Sequence, residues 1–184
     1  MRNIVKNALR VIRARTLRML GALLRAGFVY DIEHWRAGQL IGTERIHNLM
    51  PNEGVAHALG VLLKGVTQVP TWYIGLYEAN YTPTLADTAA TFPASASETT
   101  TYAETTRVVF NEGAVSGGTC DNSANKAEFT SNADKTIYGG FIASASGKGA
   151  TSGVLLSAVK FASPKTFDTG DIIRVTAGFT LASV

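Results

Sequence analysis

Only one cysteine, Cys120, occurs in the 184 residues. No intrachain disulfide can form, which removes the disulfide-stapled secreted scaffolds and points to a chain assembled in a reducing cytoplasm. Histidine is scarce as well. His34, His47 and His57 fall on different expected elements, without the local spacing of a zinc site. No serine sits in a GxSxG elbow. Gly147-Lys148-Gly149 lacks the first glycine of a phosphate loop, because Ile142 occupies that position, and no helix is expected after it. Asp168-Thr169-Gly170 matches an aspartic-protease triplet, but the chain has no second copy with which to share a proton. Asp121, Asn122, Ser123 and Asn125 offer oxygens to calcium without the carboxylate count of an EF-hand. The reading is therefore of a chain with no catalytic residue, no cofactor and no metal.

Acidic residues are missing from the first 26 positions, which hold Arg2, Lys6, Arg10, Arg13, Arg15, Arg18 and Arg25. These seven account for more than the whole net charge of +3; removing them from the 17 basic groups leaves ten against 14 acids, a balance of −4. Long hydrophobic runs are missing as well. The longest in this arm, Met19–Leu24, is six residues, far short of the roughly twenty that span a bilayer. Arginines break up every stretch that could serve as the core of a secretory signal. Proline is absent too, and Arg, Leu and Ala dominate, so residues 1–26 are expected to form a helix that stops at Gly27. At 100° per residue Val5, Leu9, Ile12, Leu20 and Leu23 gather on one side, beside a basic stripe. Arg2, Lys6, Arg10, Arg13, Arg18 and Arg25 are the candidate partner-binding residues. An acidic or apolar protein surface suits them, and so do nucleic acid and anionic lipid.

After the arm the patterning is mostly that of strands. Phe28–Trp35 and Gln39–Asn48 read as a hairpin closed across Arg36, Ala37 and Gly38. A lone hairpin is marginal in water, so it is expected to lie on the main body or on a neighbouring subunit. Asn52 reads as the N-cap of a helix in which Val55, Leu59, Leu62 and Leu63 form an apolar stripe, expected to face the core. Residues 71–77 read as a strand covered on both sides. Asn80–Thr101 is long, nearly uncharged and rich in Ala, Ser and Thr, and reads as an extended arm on a partner or a mobile loop. Further strands are expected at Tyr102–Phe110 and Asn125–Thr130, with a loop over Gly113–Ser123 between them. Three more fall between Lys135 and Leu181. In the last of these Ile173, Val175, Ala177, Phe179 and Leu181 alternate with mostly polar neighbours after a turn at Asp168–Asp171.

The expected fold is mainly β: an antiparallel β-sandwich or jelly-roll-like body with an N-terminal basic helix, a β-hairpin and one short packed helix. The expected organisation is a helical arm at 1–26, the hairpin and short helix at 27–69, and the β body at 70–184.

The stretches His47–Gly65 (HNLMPNEGVAHALGVLLKG), Thr71–Pro83 (TWYIGLYEANYTP) and the late KTIYGGFI and KTFDTGDIIRVTAGFTL runs resemble small structural proteins of tailed bacteriophages. The resemblance carries no site residues. It implies a non-enzymatic component of the virion, assembled in the host bacterial cytoplasm, as a capsid decoration (cement) protein or as a tail or head appendage held through the N-terminal helix. Its implied partners are other copies of the chain and the major capsid or tail proteins, with no membrane span. A host glycan-binding β module, in which exposed Tyr73, Tyr77, Tyr81 or Tyr102 stack on sugars, is the alternative of a different class. Nucleic-acid binding by the arm is a third reading, expected to weaken steeply with salt.

Overall fold

The computed structural model describes residues 24–183. Among them the elements run β1 (Leu24–Arg36), β2 (Gln39–His47), α1 (Asn52–Leu63), β3 (Tyr73–Tyr77), α2 (Phe92–Ser95), β4 (Val108–Val109), β5 (Thr119–Asp121), β6 (Ala127–Thr130), β7 (Lys135–Ala143), β8 (Leu155–Phe167) and β9 (Ile172–Ser183). The protein is mainly β, with two antiparallel sheets and no barrel. One sheet has the order β2-β1-β9-β5, with β6 also paired to β9; the other has the order β4-β3-β7-β8.

The hairpin forms as its residues dictate. Arg36 pairs with Gln39, leaving Ala37 and Gly38 as a two-residue loop at φ 49° and 77°. Both positions are left-handed, as in a type I′ turn, whose twist matches that of the strands. The hairpin lies on the main body, because β1 pairs along its length with β9, from Leu24 opposite Ser183 to Trp35 opposite Ile172.

The expected N-terminal helix falls mostly outside the described residues, together with Arg2, Lys6, Arg10, Arg13 and Arg18. Its last residues are corrected. Leu24, Arg25 and Ala26 belong to β1, opposite Ser183, Ala182 and Leu181, and Gly27 continues the strand instead of ending a helix. The backbone of β9 offers this stretch an antiparallel partner, and ladder pairing overrides local helix propensity.

Alternation puts Phe28, Tyr30 and Ile32 of β1 and Ile173, Val175 and Ala177 of β9 into a core shared with Ile74, Leu76, Ile137 and Val159 of the second sheet. A second cluster covers the opposite face of the second sheet, where Tyr77, Phe141, Ala143 and Leu155 meet Ala89, Phe92 and Ala96. This cluster corrects the reading of Asn80–Thr101. Instead of extending onto a partner or standing as a surface loop, the segment is the cover of the second sheet, because Phe92 and the alanines supply the apolar contacts that Tyr77 and Phe141 need there. Only Val108 and Val109 of the expected Tyr102–Phe110 strand enter a ladder. The Arg107 amide is already committed to the Ser146 carbonyl. The expected loop at Gly113–Ser123 contains β5, which pairs with Gly178–Thr180.

The helix α1 is where expected, but its N-terminus is capped differently. Pro51 occupies the cap position with no side-chain cap bond, and the Asn52 amide donates to the Leu85 carbonyl. The start of the helix is pinned by Glu53, whose Oε2 accepts from the amides of Ala89 at 2.8 Å and Leu155 at 2.6 Å. Gly54 lets the helix approach β8 closely: a Cβ there would lie 2.5 Å from the Leu156 carbonyl oxygen. Gly54→Ala is therefore expected to lower stability by about 1–3 kcal/mol through overpacking against rigid backbone. Chemical denaturation checks this, and an unchanged midpoint would contradict the close approach.

Candidate functional site: an apolar groove beside an exposed helix face

The apolar stripe of α1 does not face the core. Val55 is 40% exposed, Leu59 50%, Leu62 71% and Leu63 70%, and Gly54 is the helix's one buried residue. The helix rests on the body through its first turn, so its later turns project their leucines outward. Val66, just beyond, is 47% exposed. Isolated surface leucines are ordinary; a contiguous row on one element is the pattern of a contact surface.

Beneath this row lies a groove of about 400 Å³. Its helix side is Ala58, Val61 and Leu62, and its floor and far wall are Phe28, Met50, Trp72, Phe110, Leu156 and Phe179. The wall follows from strand register. Phe28 and Phe179 are direct partners across β1 and β9, their rings 5.0 Å apart, and Cys120 stands opposite Phe179 on β5. His57 meets the Trp72 ring edge-on at 5.6 Å. Glu112 and Gln68 provide polar groups at the rim, and Glu112 forms no ion pair among the described residues. Burial, with smaller contributions from Glu112 and Asp121, pushes the Cys120 thiol above its ordinary pKa. That is the opposite of what activates a cysteine nucleophile.

The other chemically suggestive residues are engaged in holding the fold. His34 Nε2 lies 2.8 Å from Asp171 Oδ2, and Arg36 donates to both oxygens of the same carboxylate. Among the described residues the hydrogen bond made by the His34 ring is this one to Asp171. His47 and His57 lie apart from it on β2 and α1. Asp168 is in the turn before β9 and pairs with Arg36 at 2.6 Å. The Asp121–Asn125 loop is a strand anchor, in which Asn122 Oδ1 accepts from the Ala177 amide and its Nδ2 donates to the Val175 carbonyl. Lys148, in the supposed phosphate loop, donates to the Thr100 and Tyr102 carbonyls and stands 3.7 Å over the Tyr102 ring. Among the described residues no group of three His, Cys, Asp or Glu side chains could hold a metal ion.

Arg107 and Glu98 form a fully enclosed ion pair at 2.7 Å, each side chain 1% exposed. Arg107 also donates to the Ala145 and Ala150 carbonyls and lies 5.1 Å over the Phe141 ring. Glu98 accepts from the Gly149 amide. The outer face of the first sheet carries a solvated ladder of opposite charges, Arg45 with Asp31, Lys126 with Glu33 and Arg174 with Glu128. Exposed pairs of this kind contribute little each.

Of the tyrosines put forward for sugar stacking, Tyr77 and Tyr102 are corrected: they are 0% and 2% exposed, inside the two clusters. Tyr81 leans on Phe92 and donates to Asp87. Of the candidate partner-binding residues only Arg25 reaches the described region, and there through its backbone pairing with Ala182. The groove escaped sequence reading because its aromatic residues come from distant parts of the chain, Phe28 from β1, Phe179 from β9, and Trp72 and Phe110 from the residues flanking β3 and β4. The one available signal was the leucine spacing of α1, which looks the same for a buried stripe and an exposed one.

No family model matches the chain, and no curated protein matches it in sequence. No helix among the described residues is long and apolar enough to cross a membrane.

Proposed function

We propose that the chain is a non-catalytic structural subunit of a tailed-bacteriophage particle, a β-sandwich body that joins neighbouring subunits through α1 and the groove beside it. The observation that carries this reading is the row Val55, Leu59, Leu62 and Leu63, held away from the core and continuous with an apolar groove. Burying such a row against another subunit is favourable at about 25 cal/mol per Å² of apolar surface. The resemblance of His47–Gly65, Thr71–Pro83 and the late strands to phage structural proteins supplies the particle. The role is capsid decoration, with copies of the chain and the major capsid protein as partners and the virion as its place. An appendage of the tail or head, held by residues 1–26, is the alternative.

Two measurements test it. Quantitative mass spectrometry of purified particles is expected to find the chain in a copy number that follows the capsid subunits; a number that follows tail symmetry would move it to an appendage, and absence from particles would end the virion reading. In solution, the full chain is expected to associate, and Leu59→Asp with Leu62→Asp is expected to sediment as a monomer with an unchanged circular dichroism spectrum. These side chains are at least half exposed, so their effect on folding should stay within about 0.5 kcal/mol. Association undiminished by the double substitution would remove α1 from the contact.

A further inference from the structure

We propose that the groove beside α1 is filled by residues 1–23 of a neighbouring copy of the chain, so that subunits are linked by exchange of their N-terminal segments. This rests on the reading of α1 as an assembly surface and names what covers it.

Three observations point to this occupant. The first is chemical fit. The groove and the exposed row above it are apolar, and residues 1–23 contain Val5, Leu9, Ile12, Leu20 and Leu23 at a spacing that would align them on one side of a helix. The second is charge. The segment contains basic groups and no acid, whereas the rest of the chain has an acidic excess, and Glu112 stands at the groove rim without an ion-pair partner among the described residues. An arginine-bearing apolar segment would lay leucines into the groove with its charges in water or toward Glu112. The third is where the chain leaves the body. Phe28 lines the groove, and β1 continues past it to Leu24, about 13 Å further at a strand's rise per residue. Pairing with β9 holds this stretch extended to its end. The described chain therefore begins at a point displaced along β1 from Phe28, from which a neighbouring copy is within reach of a segment of this length. A helix of 23 residues would reach about 35 Å from there, the width of a small domain.

Cys120 provides a probe that needs no engineering, since it is the chain's one cysteine and lines the groove. In the full-length chain its labelling by a disulfide reagent is expected to be slow, and Ile12→Asp is expected to speed it about tenfold by emptying the groove. Near-ultraviolet circular dichroism of the same samples controls for folding. The occupant is identified by placing p-benzoylphenylalanine at Leu62 in the otherwise unaltered chain, mixing light and heavy isotope-labelled copies, irradiating and mapping the linked peptides. Links from Leu62 to peptides within 1–23, joining light to heavy chains, are the expected result. Links within single chains would overturn exchange. Links from Leu62 to α1 of another copy would overturn this occupant while leaving the assembly reading intact. A monomer whose Leu62 links to nothing and whose Cys120 rate ignores Ile12→Asp would overturn both.

Discussion

Replacing Arg107 with alanine is expected to cost about 3–5 kcal/mol of folding stability, because Glu98 would keep a charge in a nearly solvent-free site without its partner. Both side chains are 1% exposed, so solvent cannot take the place of the lost guanidinium. The carbonyls of Ala145 and Ala150 would lose their donor in the same step. The effect should be local in structure as well as large. Arg107 and Glu98 tie the cover segment of the second sheet to the loop after β7, through Gly149, Ala145 and Ala150. Hydrogen exchange is therefore expected to rise first in residues 87–99 and 144–153. Equilibrium unfolding in guanidinium measures the loss, and a change below about 1 kcal/mol would mean that the charge finds water after all. Glu98→Ala combined with Arg107→Ala is expected to cost clearly less than the two single losses added, since the double change leaves no orphaned charge.

Asp171 has the second large expected effect. Its carboxylate is buried and accepts from His34, from Arg36 at 2.8 Å and 2.7 Å, and from the Asp168 amide. Asp171→Ala removes the acceptor shared by the first strand of the hairpin and the turn before β9, and is expected to cost about 3 kcal/mol. The carboxylate also sets an acid limb. The Arg36 guanidinium, aided by His34 and the Asp168 amide, holds the Asp171 carboxyl below its ordinary value of 3.8, at about 2. A lowered pKa in the folded state means that the charged form is the one folding favours. Its contribution is complete above about pH 4 and is lost as pH falls through about 2. With the half-exposed Arg36 screened by solvent, the contribution is about 1–2 kcal/mol. Urea unfolding at pH 5 and pH 2.5 is expected to show the wild type losing part of its advantage over Asp171→Asn. A constant gap between the two proteins would contradict the assignment.

How much of this was legible in advance varies with the range of the interaction. The hairpin at Ala37-Gly38, the alternation Ile173, Val175 and Ala177, the turn at Asp168–Asp171 and the strand within Asn125–Thr130 are written in neighbouring residues. Side-chain period and turn chemistry are local properties, so sequence was enough for them. The extent of α1 is of the same kind.

The orientation of that helix is not. Val55, Leu59, Leu62 and Leu63 have the same spacing whether they meet a core or a neighbour. Gly54 and Glu53 decided the matter, by docking the first turn on Leu155 and Leu156 and the Ala89 amide, residues distant in sequence. Asn80–Thr101 misled for a related reason. Its composition is that of a loop, and its role depends on an apolar sheet face made by Tyr77, Phe141 and Leu155. Arg107 looked like one more strand residue, although its partners Glu98, Ala145 and Ala150 lie on both sides of it in the chain. Residues 24–26 looked helical until β9 offered them a ladder. Sequence alone thus determined the hairpin, the alternation of the last strand and the charge of the first 26 residues, because side-chain period, turn chemistry and charge reside in adjacent residues. Tertiary structure alone decided which apolar faces were covered and which buried charges met, because burial depends on what the rest of the chain brings to a place.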